Sequence, residues 1–322
     1  MSDVFGAFKV DAQTENSRGF NTRQVHSGAK PDPATKARAV PIYATAPTVE
    51  VLEKRVAALE GGSAAVACAS GQSGVFQAIL CLTHSGDNIV ASTNLYGGTY
   101  SMFKHLLPRM GITVRWVNSD DPESYRSLID DRTKIVFVET VGNPRISIPD
   151  LSAIADIAHE NRVPFVVDNT FGAGGFWCPA IEHGADIVVH SATKWLGGHG
   201  TTVGGIIVDS GRFDWSKAKD RFPHLNQSTN GPMDFSYANN FGNFAFAMAL
   251  RIEVVMEVGS VMNPFAAQQI LLGIETLSLR CDRIAANALQ TAQFLAQHPR
   301  IAWVSYPGTQ MSLAEAGLGA IS

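Results

Sequence analysis

No apolar run in the 322 residues is long enough to span a bilayer, which argues against a helical membrane protein. Excess charge of one sign is also missing: 25 Lys and Arg face 29 Asp and Glu, a net charge of −4. Without a polybasic surface, nucleic acid and anionic membrane are not expected partners. Cysteine is scarce. Cys68, Cys81, Cys178 and Cys281 are dispersed and lack metal-type spacing, so they read as buried free thiols suited to a reducing compartment, with no metal site. The amino terminus shows no basic region leading into an apolar segment, and the expected location is cytoplasmic. There is no low-complexity tract and no internal repeat. What is present is hydrophobic content of 45% with only 17% charged residues, enough for a large core and more than one domain.

The organisation divides into three. Residues 1–60 read as an arm, irregular at first and then helical from Thr48 to Glu60, where Val49, Leu52, Val56 and Leu59 recur at helical spacing. Residues 61–262 alternate short apolar runs with helical stretches, the pattern of a mostly parallel sheet with crossover helices. The predicted strands are Ala64–Cys68, Asn88–Ala91, Thr113–Val117, Lys134–Val138, Pro164–Val167, Ile187–His190 and Gly204–Val208. The predicted helices lie near Gly74–Leu82, Thr99–Arg109, Asp150–Glu160 and Gly242–Val258. Residues 263–322 open with two helical segments that reach His298, the start of a smaller carboxy-terminal domain.

Chemistry concentrates at the strand ends. Lys194, in the run from His190 to Gly200, offers an amine able to condense with an aldehyde, and Ser191 and Thr193 beside it offer hydroxyls to a phosphate. Asp168 ends an apolar strand and is placed to hold a pyridine nitrogen protonated. Taken alone, each has a plain structural reading, a solvated lysine or a turn aspartate. Three more strand ends carry matching features. The run Ala64 to Gly74 turns through Ser70, Gly71 and Gln72 into a helix whose free N–H groups suit an anion. Leu95 to Tyr100 places the ring of Tyr96 to cover a flat cofactor, and Glu139 to Pro144 brings Asn143 to another strand terminus, where open α/β sheets collect ligands. Together they point to pyridoxal 5'-phosphate. Gly197, Gly198 and Gly200 read as backbone accommodations, and His199 as a structural donor.

The segments ALEGGSAAVACASGQ, NLYGGTY, ETVGNP, the long run from VVDNTFGAGG to GGIIVDSGRFDW, and FGNFAFAMALRIEV closely resemble the Cys/Met-metabolism family of pyridoxal-phosphate enzymes. The likeness runs from about Thr22 to Pro307 and falls nearest the O-acetylhomoserine sulfhydrylase branch. It implies a fold-type-I transferase with a seven-stranded, mostly parallel sheet and a smaller, here incomplete, α+β carboxy-terminal domain. It also implies a homotetramer of tight dimers whose active site is completed by a neighbouring subunit. Carried onto this sequence, the family pattern makes Lys194, Tyr96 and Asp168 catalytic. Ser70, Gly71, Gln72, Tyr96, Asn143, Asp168, Thr170, Ser191, Thr193 and Lys194 become cofactor contacts. The implied activity is γ-replacement on O-acetyl-L-homoserine, with sulfide or a thiol giving homocysteine or methionine and acetate. Gln72, where many relatives have Met, and the run SATKWLGGHGTT favour the sulfhydrylase branch over cystathionine γ-synthase and γ-lyase; Gly98, where methionine γ-lyases usually have Cys, counts against that activity. The other readings are a biosynthetic relative using a carbon nucleophile, and a truncated, catalytically incompetent partner subunit.

Three places depart from the family. Ala46 is followed directly by Pro47, where relatives carry a few dozen residues with a Tyr and an Arg for the neighbouring subunit's phosphate site. A second junction falls between Asn226 and Asn240, and a third follows Gly308, before the arginine that usually binds the substrate carboxylate. Mobile segments left out of the sequence, rather than true deletion, is the favoured explanation. It predicts Ala46 and Pro47 standing much farther apart than the roughly 3.8 Å of a trans peptide, with similar breaks at the other two places. All three would border one cavity around Lys194, with little cofactor in it.

Overall fold

The apolar runs become β1 (Ala64–Cys68), β2 (Asn88–Ser92), β3 (Thr113–Val117), β4 (Thr133–Glu139), β5 (Phe165–Asp168), β6 (Ile187–Ser191) and β7 (Gly205–Asp209). They form one sheet in the order β1-β7-β6-β5-β4-β2-β3 in a computed structural model that describes residues 17–31, 33, 40, 42, 46–228 and 235–307. The pairs among β2 to β6 are parallel, and β7 runs antiparallel to both β1 and β6. Every residue of β1, β4 and β7 is buried, as expected where helices cover both faces of a sheet.

Five strands run one residue beyond the apolar stretch that predicts them. The added residues are Ser92, Glu139, Asp168, Ser191 and Asp209. Hydrophobic patterning stops at the last apolar side chain, whereas the ladder stops only when its backbone partners run out, as in the pairing of Glu139 with Asp168. Polar residues are thereby fixed on rigid strand ends.

The crossover helices follow their caps. Ser70 accepts the N–H of Ser73 at the start of helix Gly71–Leu82, and Asp150 accepts that of Ala153 at the start of helix Leu151–Glu160. The single helix predicted over Thr99–Arg109 is instead an α-turn Gly97–Ser101, a π-turn Met102–Leu106 and a 3-10 turn Leu107–Met110. Pro108 is the reason, since it has no N–H to continue the i to i−4 ladder. The stretch predicted as Gly242–Val258 begins earlier, at Tyr237, and is broken where Gly242 takes a positive φ of 58°. No described helix is long and apolar enough to cross a membrane.

The break expected between Ala46 and Pro47 is absent. Both lie in the first turn of the continuous helix Ala46–Glu60, where a proline gives up no intrahelical hydrogen bond, and Pro47 does not line the cavity that holds Lys194. The expected second junction falls partly on residues 229–234 and the third on residues from 308 onward, both outside the described residues. Leu52, Val56 and Leu59 of helix Ala46–Glu60 are fully buried in this chain's own core, together with Ile270, Leu271 and Ile274 of helix Pro264–Ile274. An amphipathic stripe covers whatever apolar surface lies nearest, and here the sheet of the same chain supplies it.

Candidate active site

Strand ends β4, β5 and β6 and the start of helix Gly71–Leu82 surround a cavity of about 350 Å³. Ser70, Gly71, Gln72, Tyr96, Asn143, Asp168, Thr170, Ser191, Thr193 and Lys194 all line it. Sequence separations of up to about 120 residues collapse because parallel strands deliver their carboxyl ends to one edge. Glu139, Val75, Thr99, Val141, Phe171 and Val203 line it as well and were not singled out from the sequence.

At one side the helix start leaves the N–H groups of Gly71 and Gln72 without intrahelical acceptors. A β-carbon on Gly71 would lie 2.5 Å from Cβ of Ser191, so only glycine lets this turn approach the Ser191 hydroxyl. That cradle of backbone donors and a hydroxyl fits a phosphate. The Thr193 hydroxyl donates to the carbonyl of Gly204 at 3.2 Å and accepts the N–H of Gly204 at 3.1 Å, which holds it at the cavity edge.

Opposite the cradle stands Asp168. Its Oδ1 accepts the Thr170 hydroxyl at 2.6 Å and the Thr170 N–H at 3.0 Å, while Thr170 Oγ1 accepts the N–H of Ser191 at 2.8 Å. One threonine thus ties the carboxylate to the phosphate side of the site. Burial pushes the Asp168 carboxyl above its usual range, opposed by the Thr170 hydrogen bonds and by His190. A protonated ring nitrogen in front of it would relieve that cost. His190 is itself fully buried, with Nε2 2.6 Å from Oε1 of Glu60, and Asn169 donates to the same oxygen at 2.9 Å. This layer behind the cavity has no sequence signal, because Glu60 lies 130 residues from its histidine partner.

Lys194 is exposed at the cavity, and its amine has no hydrogen-bond or ion-pair partner among the described residues. Its backbone is locked in a turn, donating to Ser191 at 3.1 Å and accepting from Gly198 at 2.7 Å. Gly198 and Gly200 take φ of 70° and 66°, the backbone accommodations expected of them, and His199 donates to the carbonyl of Gly197 at 2.8 Å. The Tyr96 ring is 54% exposed and overhangs the cavity; a β-carbon on Gly98 would stand 2.6 Å from it. A larger apolar cavity of about 750 Å³ adjoins the site through Val141 and Phe171, but it contains neither Lys194 nor Asp168.

A phosphate cradle, a free amine and a fixed carboxylate at the carboxyl edge of this sheet define a fold-type-I pyridoxal-phosphate enzyme. A candidate O-acetylhomoserine (thiol)-lyase of Campylobacter jejuni, solved with N'-pyridoxyl-lysine-5'-monophosphate, superposes with a TM-score of 0.86 at 29% identity, over 92% of this chain and 80% of that one. Residues 44–314 match the model of the Cys/Met metabolism PLP-dependent enzymes, and the chain belongs to that family. It is 48% identical over 322 residues to the homocysteine synthase of Schizosaccharomyces pombe, covering 91% of this chain and 75% of that protein. It is 43% identical over 318 residues to O-acetyl-L-homoserine sulfhydrylase 1 of Thermus thermophilus, covering 90% and 75%.

Proposed function

We propose that this chain catalyses γ-replacement on O-acetyl-L-homoserine, joining sulfide or a thiol to Cγ and releasing acetate, with homocysteine as the product of sulfide. The observation that carries the reading is the convergence of Lys194, Asp168 and the Gly71–Ser191 cradle on one cavity. The activities named for the relatives, homocysteine synthase and O-acetyl-L-homoserine sulfhydrylase, support the same choice. Bound in the cavity, pyridoxal phosphate supplies an electron-withdrawing ring that makes protons on the substrate's carbons removable. The chain's residues do the rest. The Lys194 amine takes and returns protons at the substrate's α-carbon. Asp168, steadied by Thr170, holds a proton on the ring nitrogen. Gly71 and Gln72 N–H groups and the Ser191 and Thr193 hydroxyls bind phosphate, with Ser70 shaping the turn beside it. Tyr96 covers one ring face and Asn143 closes the cavity beside it.

The test is direct. With pyridoxal phosphate, O-acetylhomoserine and sulfide, homocysteine and acetate are expected in equal amounts, and O-succinylhomoserine is expected to react far more slowly. Cofactor binding with neither ester consumed would overturn the reading and mean that the short connection before Pro47 leaves the site incomplete.

The finer organisation belongs to the same proposal: an arm to residue 60, a cofactor domain over 61–262 and the start of a second domain at 263, in a cytoplasmic homotetramer. The free state of all four cysteines suits a reducing compartment. Phe265, Leu279 and Phe294, each more than 60% exposed, give the carboxy-terminal helices apolar surface to bury against other copies. Light scattering is expected to return the mass of four chains; a monomer at micromolar concentration would overturn the tetramer.

A further inference from the structure

Glu139 is the cavity residue that sequence reasoning left without a task. It ends β4, stands in register beside Asp168 on β5, and is only 6% exposed. Its Oε1 accepts the backbone N–H of Tyr96 at 2.6 Å, and the nearby backbone N–H of Asn143 favours the charged form of the carboxyl. Those two amides belong to different loops, one between β2 and helix Gly97–Ser101, the other following β4.

Tyr96 needs such an anchor. Its ring is more than half exposed, and it occupies the position before helix Gly97–Ser101 without making a side-chain cap. With so little packing around the ring, its place over the cavity is set by its own main chain.

We infer that Glu139 is a positioning residue: by accepting the Tyr96 amide and attracting that of Asn143 it fixes the two loops against the edge of the sheet and so holds the walls of the cofactor cavity in place. The inference rests on the proposed function only for the use made of those walls. Burial, followed by the nearby Asp168 carboxylate, pushes the Glu139 carboxyl up to about 8. An amide at this place keeps an oxygen that accepts the Tyr96 N–H.

That equivalence sets the test. In the cofactor-free chain, hydrogen exchange at the Tyr96 and Asn143 amides is expected to be at least tenfold faster in Glu139→Leu, which has similar size and no acceptor. The amides of Ile135 to Val138 should stay protected in the same sample. Glu139→Gln is expected to keep both loop amides within about threefold of wild type. Pyridoxal-phosphate affinity should follow the same order, weakened roughly tenfold or more in the leucine variant, the scale of stranding a buried donor, and nearly unchanged in the glutamine variant. Unchanged exchange at both amides in Glu139→Leu would overturn the inference, as would equal losses in the two variants. If Glu139→Leu does not fold, Glu139→Met takes its place as a flexible side chain without a strong acceptor; if neither folds while Glu139→Gln does, the residue is structural and the inference fails. Exchange is read without cofactor or substrate, so failure of the proposed reaction leaves this result standing.

Discussion

Lys194→Ala is expected to lose at least about 10⁴ in turnover, the upper range for a positioned proton-transfer group, while its melting temperature stays close to wild type. The two halves of this expectation have separate causes. The amine has no partner among the described residues and is exposed, so deleting it strands nothing, and such surface changes stay within about 0.5 kcal/mol. The turn that carries it survives too, because its hydrogen bonds to Ser191 and Gly198 are made by backbone atoms. Activity has no such reserve, since no other lysine among the described residues lines the cavity. A second readout locates the chemistry. Borohydride added to wild type with pyridoxal phosphate should add one pyridoxyl phosphate to the peptide containing Lys194, and none to any peptide of the variant. Labelling elsewhere with turnover intact would sink the assignment.

Asp168→Asn is expected to bind the cofactor and turn over about 10²- to 10³-fold more slowly, the usual cost of removing one preorganised electrostatic partner. Asparagine keeps an oxygen for the Thr170 N–H and hydroxyl, so the bridge from β5 through Thr170 to Ser191 has what it needs to persist. What disappears is the negative charge facing the ring nitrogen. Thermal stability is expected to hold or rise slightly, because the carboxylate is buried at a cost that already pushes its pKa upward. Cofactor titration followed by a rate measurement with saturating ester checks both halves. A rate within threefold of wild type would show that the ring nitrogen takes its proton from elsewhere.

The sequence was most legible where one local pattern decides one local outcome. Each apolar run from Ala64–Cys68 to Gly205–Asp209 is short and bounded by polar or glycine positions, and most are rich in β-branched residues, so the strand is specified within its own few residues. Lys194, Asp168 and the Ser70–Gly71–Gln72 turn were legible for a related reason: each is a distinctive residue type directly after such a run, and strand ends are where this architecture gathers chemistry. The helices after Asn263 were equally plain, with the Asn263 side chain capping Pro264–Ile274.

Tertiary structure decided whatever depends on residues meeting across the sheet. Glu139 looked like one more polar residue after a strand until the pairing of β4 with β5 set it beside Asp168 and the loop after β2 brought it the Tyr96 amide. The buried link from Glu60 through His190 and Asn169 behind the cavity joins a helix end to two strands more than 100 residues away. The return of the chain at Gly204 likewise sets where the Thr193 hydroxyl stands at the cavity edge. The arm helix Ala46–Glu60 was legible as an amphipathic helix, yet its partner was not, because a 3.6-residue stripe states that a face is buried and never against what. Local patterning fixes which segments are strands and which residues end them; only the order in which the strands pair fixes which of those residues touch, because hydrogen bonds and burial depend on distances in space that the sequence does not contain.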